Sequence, residues 1–89
     1  MPKHLEPNEV VEAIESAFSP LECRVELVDQ RLGFCVFDID GNAVLPPLSW
    51  NVRWARKPDN LQSRINVLRQ RVELEGYMLD PWKPFQAEL

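Results

Sequence analysis

The sequence predicts an α+β domain in which two helices cover one face of a three-stranded antiparallel meander, in the order α-β-β-β-α. Apolar residues recur at helical spacing near both ends of the chain, alternate with polar residues between them, and are separated by turn-forming residues. A chain of 89 residues has room for one core. We therefore expect a single domain over residues 1–79 and a proline-rich, aromatic tail over residues 80–89.

The first helix is predicted over residues 7–18, where apolar side chains share one helical face. Ser19 and Pro20 end it, because a residue before proline disfavours the helical conformation. The apolar face is formed by Val10, Ile14 and Ala17, widened by Val11 and Phe18.

Two strands are predicted next, over residues 21–28 and 32–39, joined by a turn at residues 29–31. The first alternates apolar and polar residues, whereas the second is apolar on both faces, which is typical of a covered middle strand. A shift of one residue in pairing exchanges the two faces, so the sequence leaves open which cysteines and aromatic residues share a face.

The third strand is predicted over residues 48–55, where Trp50, Val52 and Trp54 alternate with polar residues. It follows a turn at residues 38–42. The pair Pro46-Pro47 excludes this stretch from the centre of a sheet, because proline cannot donate to a strand ladder. We expect an irregular edge strand, or two short strands and a four-stranded sheet if the prolines split it.

The second helix is predicted to begin after Asp59 as N-cap and to end near Gly76. Its inner stripe consists of Leu61, Ile65, Leu68 and Val72. A second, outer stripe also has helical spacing, although a helix packed only on its own sheet would not need it. That outer stripe consists of Arg64, Val67, Arg71 and Leu74.

Apolar residues in excess of one core predict an interface. Besides the outer stripe, one face of the second strand is apolar, and two coverings stay open: the aromatic tail folds back on it, or another chain docks. The candidate protein interface is Leu32, Phe34, Val36, Arg64, Val67, Arg71, Leu74, Trp82 and Phe85.

The charge distribution raises a second possibility. The net charge is −4, which disfavours general nucleic-acid binding, yet residues 31–72 carry seven cations against three carboxylates. Trp50 and Trp54 beside these cations suggest a surface for single-stranded nucleic acid, although their alternation favours the core. The candidate nucleic-acid contacts are Arg53, Arg56, Lys57, Arg64 and Arg71. The element order resembles double-stranded-RNA-binding domains, but their lysine cluster at the start of the last helix is missing.

Asp38, Asp40 and Gly41 are the residues that most suggest chemistry. They resemble the first motif of haloacid-dehalogenase-like phosphatases, in which one carboxylate attacks phosphorus and the other acts as general acid. The lysine and the further acidic pair of that family do not follow. A calcium loop would need glycine at Ala43 and glutamate at Ser49. A hairpin turn explains the same residues, and we predict a turn.

The remaining reactive residues form no recognisable set. Cys23 and Cys35 are predicted to be reduced, buried thiols, and with only the distant His4 they lack the spacing of metal ligands. A disulfide would require them to face each other across adjacent strands. The sequence therefore predicts no enzyme, no cofactor and no metal site.

The segment from Glu15 to Cys23, the strand ending in Phe37-Asp38 and the helix over residues 61–74 resemble short uncharacterised bacterial domains of unknown function, common in pseudomonads. The resemblance covers residues 9–76. It implies the α-β-β-β-α order and a small cytoplasmic protein, and it brings no activity, cofactor or catalytic residue. Pro46-Pro47 and the aromatic tail depart from the pattern.

Taken together, these features favour a non-enzymatic module that binds a protein partner or a second copy of itself, as in a homodimer. Nucleic-acid binding is the alternative. No apolar run approaches the roughly 20 residues of a membrane span. The first residues lack the apolar segment of a signal peptide, so we expect a cytoplasmic protein without membrane contact.

Overall fold

The computed structural model describes residues 4–82 and confirms the α-β-β-β-α order. Its elements are α1 (Pro7–Ala17), β1 (Glu22–Val28), β2 (Arg31–Phe37), β3 (Leu48–Asn51), α2 (Val52–Ala55) and α3 (Pro58–Leu74). The strands form one antiparallel sheet in the order β1-β2-β3, so β1 and β3 are its edges. Among the described helices, none has the length and apolar character needed to cross a membrane.

The hairpin between β1 and β2 has a shorter loop than predicted. Val28 pairs with Arg31 and Leu27 pairs with Leu32, so the loop holds two residues instead of three. Asp29 takes a positive φ of 55°, a conformation that aspartate adopts more readily than most residues. The one-residue difference decides which faces of the two strands lie together.

In this strand register, the part of the predicted interface that lies on β2 belongs to the core. Leu32, Phe34 and Val36 are 0%, 3% and 0% exposed, because they face the helices together with the inner side chains of β1. The prediction that these three residues line a docking surface is therefore wrong. Cys35 and Phe37 lie on the opposite, outer face and are half-buried.

Both helices bury the faces that their spacing predicts. α1 contributes Val10, Ala13, Ile14 and Ala17 to the core, and α3 contributes Leu61, Ile65, Leu68 and Val72. Asp59 lies in the first turn of α3 instead of capping it, since Lys57 occupies the N-cap and Pro58 the first helical position. Gly76, with φ 104°, follows the C-cap of α3 as predicted.

The predicted third strand is only half a strand. β3 ends at Asn51, whose side-chain Oδ1 accepts a hydrogen bond of 2.8 Å from the Arg53 backbone N–H. This cap begins the single helical turn α2, so the prediction of extended chain at residues 52–55 is wrong. The predicted split strand is reduced to one bridge between Phe37 and Ala43.

The described part of the tail packs on its own domain. Asp80 donates its backbone N–H to Ser19 O at 2.8 Å, and the Trp82 indole donates to Ala13 O at 3.2 Å. The Arg69 guanidinium donates to the carbonyl oxygens of Ala17 and Asp80. The tail thus folds back within residues 80–82, but onto α1 and its C-terminal end, and neither expected covering of the apolar face of β2 is seen, because that face lies in the core with α1 and α3. Phe85 lies outside the described residues.

The two stripes of α3 give a direct test of this packing. Ile65 is fully buried, whereas Val67, two residues on, is 60% exposed. We expect Ile65→Ala to lower the free energy of unfolding by ~2–5 kcal/mol because it leaves a cavity. Val67→Ala should change it by less than about 0.5 kcal/mol. Urea unfolding followed by tryptophan fluorescence measures both, and equal losses would contradict the assignment of faces.

Candidate functional site

Trp54 is the centre of the most distinctive surface on the molecule. It lies in the single helical turn α2, and its side chain is half-buried. The Trp50 ring meets it edge-on at 5.6 Å between centroids, and the Arg64 guanidinium lies 5.5 Å from its ring centroid. An arginine at this distance is attracted by the negative face of the ring.

A chain of aromatic contacts ties Trp54 to the core. Phe18 stacks on Phe34 at 6.4 Å, and Phe34 meets Trp50 edge-to-face at 4.8 Å. Trp50 then contacts Trp54. The core therefore fixes the orientation of the exposed part of this indole.

Trp54 borders two shallow depressions. The first has a volume of about 400 Å³ and is otherwise lined by His4, Arg53, Arg56 and Lys57. The second has a volume of about 360 Å³ and is otherwise lined by Asn60, Ser63, Arg64 and Val67. No carboxylate lines either depression.

The outer stripe of α3 extends the second depression along the helix. Val67 and Leu74 are 60% and 85% exposed, and Arg64 and Arg71 are exposed beside them. Asn60 continues the same row towards α2, and its Nδ2 donates to Trp54 O at 3.1 Å. We call the whole region the α2–α3 surface. It comprises His4, Arg53, Trp54, Arg56, Lys57, Asn60, Ser63, Arg64, Val67, Arg71 and Leu74.

The cations of the α2–α3 surface form no ion pair within 4 Å among the described residues. Across residues 4–82 the one ion pair within 4 Å is Arg24–Glu22, on the sheet. Arg56 has a structural role, because its Nε donates to Leu5 O at 2.6 Å and its carbonyl accepts from the Leu5 N–H. The guanidinium and ammonium groups of the surface thus present a positive field to solvent.

The structure joins residues that the sequence assigned to two different sites. The candidate nucleic-acid contacts and the outer stripe of α3 form one surface. Trp82 lies elsewhere, against α1. His4, Asn60 and Ser63 were missed. Trp54 was considered for a surface but assigned to the core, since the alternation around it predicted a strand. Asn51, a strong helix N-cap, was the signal that could have indicated the turn.

Asp38 organises a turn, which confirms that prediction. Its Oδ1 accepts backbone hydrogen bonds from Asp40 and Asn42 at 3.0 and 2.9 Å. Its Oδ2 accepts the Tyr77 hydroxyl at 3.1 Å. The hydrogen bond from the Asn42 backbone is the main cause that lowers the pKa of Asp38, against a smaller opposing effect of desolvation. Gly41 supplies the positive φ of 84° that the turn requires.

The two cysteines lie on adjacent strands but point to opposite faces. Cys23 pairs with Val36 and faces the core side, whereas Cys35 pairs with Arg24 and faces outwards. They cannot bridge in this register, and both are free thiols, half-buried instead of fully buried as predicted. Burial, with a smaller contribution from the charge of Glu15, raises the pKa of the Cys23 thiol to about 12.

The outer face of the sheet is a weaker candidate site. A depression of about 390 Å³ there is lined in part by Arg24, Glu26 and Cys35. Arg24 is paired with Glu22 at 2.7 Å and lies 5.1 Å from the Phe37 ring centroid, so its charge is already partnered. Within residues 4–82 no group of three or more histidine, cysteine or acidic side chains is placed to hold a metal ion.

Comparison with protein-family models, with curated proteins and with solved structures gives no match to this chain. The resemblance to small bacterial domains stays a prediction. The chemistry of the α2–α3 surface is therefore what indicates the function of the protein.

The Asp38 turn predicts a measurable acid sensitivity. The pKa of this carboxyl is lower in the folded protein than its ordinary value of 3.8. Its stabilising effect is therefore present above that value and is lost as the pH falls through the folded-state pKa. When the pH is lowered from neutral to below 3.8, the free energy of unfolding should fall less in Asp38→Asn than in the unmodified protein. Urea unfolding at each pH measures this difference.

Asp40→Asn is the matched control, because that carboxylate lies in the same turn but accepts none of these hydrogen bonds. It should keep the acid sensitivity of the unmodified protein. An unchanged acid sensitivity in Asp38→Asn would contradict the assignment.

The burial of Cys23 predicts low reactivity. Since the thiolate is the reacting form, iodoacetamide at mildly alkaline pH should label Cys23 roughly a hundredfold more slowly in the folded protein than in urea. Peptide mass mapping after timed quenching measures the rate. Labelling at the same rate in both states would show that the thiol is accessible and ionised.

Proposed function

We propose that this protein is a non-enzymatic interaction module that binds an acidic protein partner through the α2–α3 surface. The observation that carries the proposal is the exposure of Val67 and Leu74 in one row with Arg64 and Arg71, neither of which has a carboxylate within 4 Å among residues 4–82. The rest of the molecule is acidic, since the chain as a whole has a net charge of −4.

The apolar part of the surface supports a protein partner. The inner stripe of α3 already fills the core, so Val67 and Leu74, 60% and 85% exposed, contribute little to the packing of the domain itself. Their burial by a partner would stabilise a complex by ~25 cal/mol for each Å² removed from water. Tryptophan and arginine, which lie beside them, are the residues most enriched among those that dominate binding energy.

The charge of the surface supports an acidic partner. A surface that carries only positive charges speeds the encounter with a negatively charged molecule and disfavours a positively charged one. For the same reason, the α2–α3 surface is poorly suited to pair with its own copy. A partner of different sequence is therefore favoured over a homodimer formed through this surface.

Nucleic-acid binding is the second candidate, favoured by the half-buried indole of Trp54 among cations. Two features weigh against it. Arg56 already holds the backbone of Leu5, and the aliphatic side chains of Val67 and Leu74 find no counterpart in a phosphate backbone. We therefore rank it below a protein partner.

The proposal is tested by affinity capture with two variants of equal charge. Arg64→Gln/Arg71→Gln neutralises the stripe, and Arg24→Gln/Arg31→Gln removes the same charge from the outer face of the sheet. Tagged proteins are incubated with soluble lysate of the source cell, with and without nuclease treatment, and captured proteins are quantified by mass spectrometry. We expect the unmodified protein and the sheet variant to retain the same partner, and the stripe variant to lose it at least tenfold.

Three outcomes decide between the candidates. Equal capture by both double variants would contradict a role for the α2–α3 surface. Captured material that disappears with nuclease, and whose affinity falls steeply with salt, would favour nucleic acid. Loss of the partner in Val67→Ser/Leu74→Ser as well, with an unchanged free energy of unfolding, would support the contribution of the apolar side chains.

A further inference from the structure

We infer that the outer stripe of α3 is one half of a two-helix seam, which binds an amphipathic helix of the partner carrying alternating acidic and aliphatic residues. This inference rests on the proposed function and specifies the ligand of the same surface. It commits to a helix of another protein, running antiparallel to α3.

The spacing of the stripe indicates a helical ligand. Asn60, Arg64, Val67, Arg71 and Leu74 follow one another at intervals of four and three residues, as do the contact positions of a coiled coil. Side chains at these intervals lie on the same side of a helix and leave holes into which the side chains of a second helix fit. The exposure of the stripe shows that these holes are not filled by the described chain.

Arginine and aliphatic residues alternate regularly along this row. Arg64 and Arg71 are seven residues apart, as are Val67 and Leu74, which corresponds to roughly 10 Å along the helix. A matching helix would place carboxylates opposite the two arginines, where paired hydrogen bonds can form. It would place leucine-like side chains opposite Val67 and Leu74. The row from residue 60 to residue 74 would accommodate about two heptads of the partner.

The cations beyond the row set the direction of the partner helix. Arg53 and Lys57 lie at the Trp54 end of the surface, next to the N-terminus of α3. The C-terminus of a helix carries the negative end of its dipole and is stabilised by nearby cations. The partner's C-terminus is therefore favoured at this end, which makes the two helices antiparallel.

A second copy of α3 is a poor occupant of this seam. Two such stripes would bring four arginines together with no carboxylate among the facing side chains. Like charges across a helix interface are unfavourable and direct the choice of partner. The charge pattern thus indicates a helix of another protein.

The inference is tested with two fluorescent peptides of identical composition. One carries glutamate and leucine in the alternating four-and-three pattern over two heptads, and the other carries the same residues in an order that spreads them around the helix. Anisotropy titrations use the full chain, its Arg64→Gln/Arg71→Gln variant and the Arg24→Gln/Arg31→Gln control. We expect the patterned peptide to bind the full chain and the control at least tenfold more tightly than the scrambled one, and to gain helical circular dichroism on mixing.

A charge exchange provides an independent check. In the Arg64→Glu/Arg71→Glu variant, the preference should move to a patterned peptide in which lysine replaces glutamate. Restored binding of this pair would support direct contact along the seam. Urea unfolding of each variant verifies that the fold is kept, which is expected because the exchanged side chains are exposed.

The outcomes separate this inference from the function on which it rests. Suppose that both peptides bind the full chain with equal affinity and that both lose this affinity in the Arg64→Gln/Arg71→Gln variant. This result would overturn the helical seam but would still support an acidic partner. No binding of either peptide would overturn the seam. If Arg64→Gln/Arg71→Gln also left capture from lysate unchanged, the proposed function would be contradicted as well. Binding of a single-stranded oligonucleotide alone would overturn both.

Discussion

The burial of the inner face of β2 under the two long helices is the constraint on which the other features of the domain depend. Leu32, Phe34 and Val36 are covered from one side by α1 and α3, and the small size of the chain leaves no second core. Phe34 also begins the contacts that orient Trp50 and then Trp54. The same packing that stabilises the domain therefore places the indole at the candidate site.

Most of the fold could be predicted because its signals are local. The inner stripes of both helices follow a period near 3.6 residues, and burial at these positions needs no knowledge of distant contacts. The faces of β2 could not be predicted in this way. They depend on whether the hairpin loop holds two or three residues, and Arg31 is the residue that joins the strand.

The candidate site, too, could be predicted from the sequence only in part. The outer stripe of α3 could be recognised from spacing alone, because residues three and four apart share a helical face wherever the helix packs. The position of Trp54 could not, since it depends on the cap formed by Asn51 and on contact with Trp50. The alternation over residues 48–55 predicted a strand, because a pattern of several residues is a stronger signal than the single capping residue Asn51.

The open edge of the sheet has a consequence for the behaviour of the protein at high concentration. β1 is an edge strand of seven residues with one side unpaired, a geometry that invites strands of other molecules to add to it. Glu22, Arg24 and Glu26 are exposed along this strand. An incoming strand would have to strip water from these charges, which makes aggregation through this edge unfavourable even when many copies are crowded together.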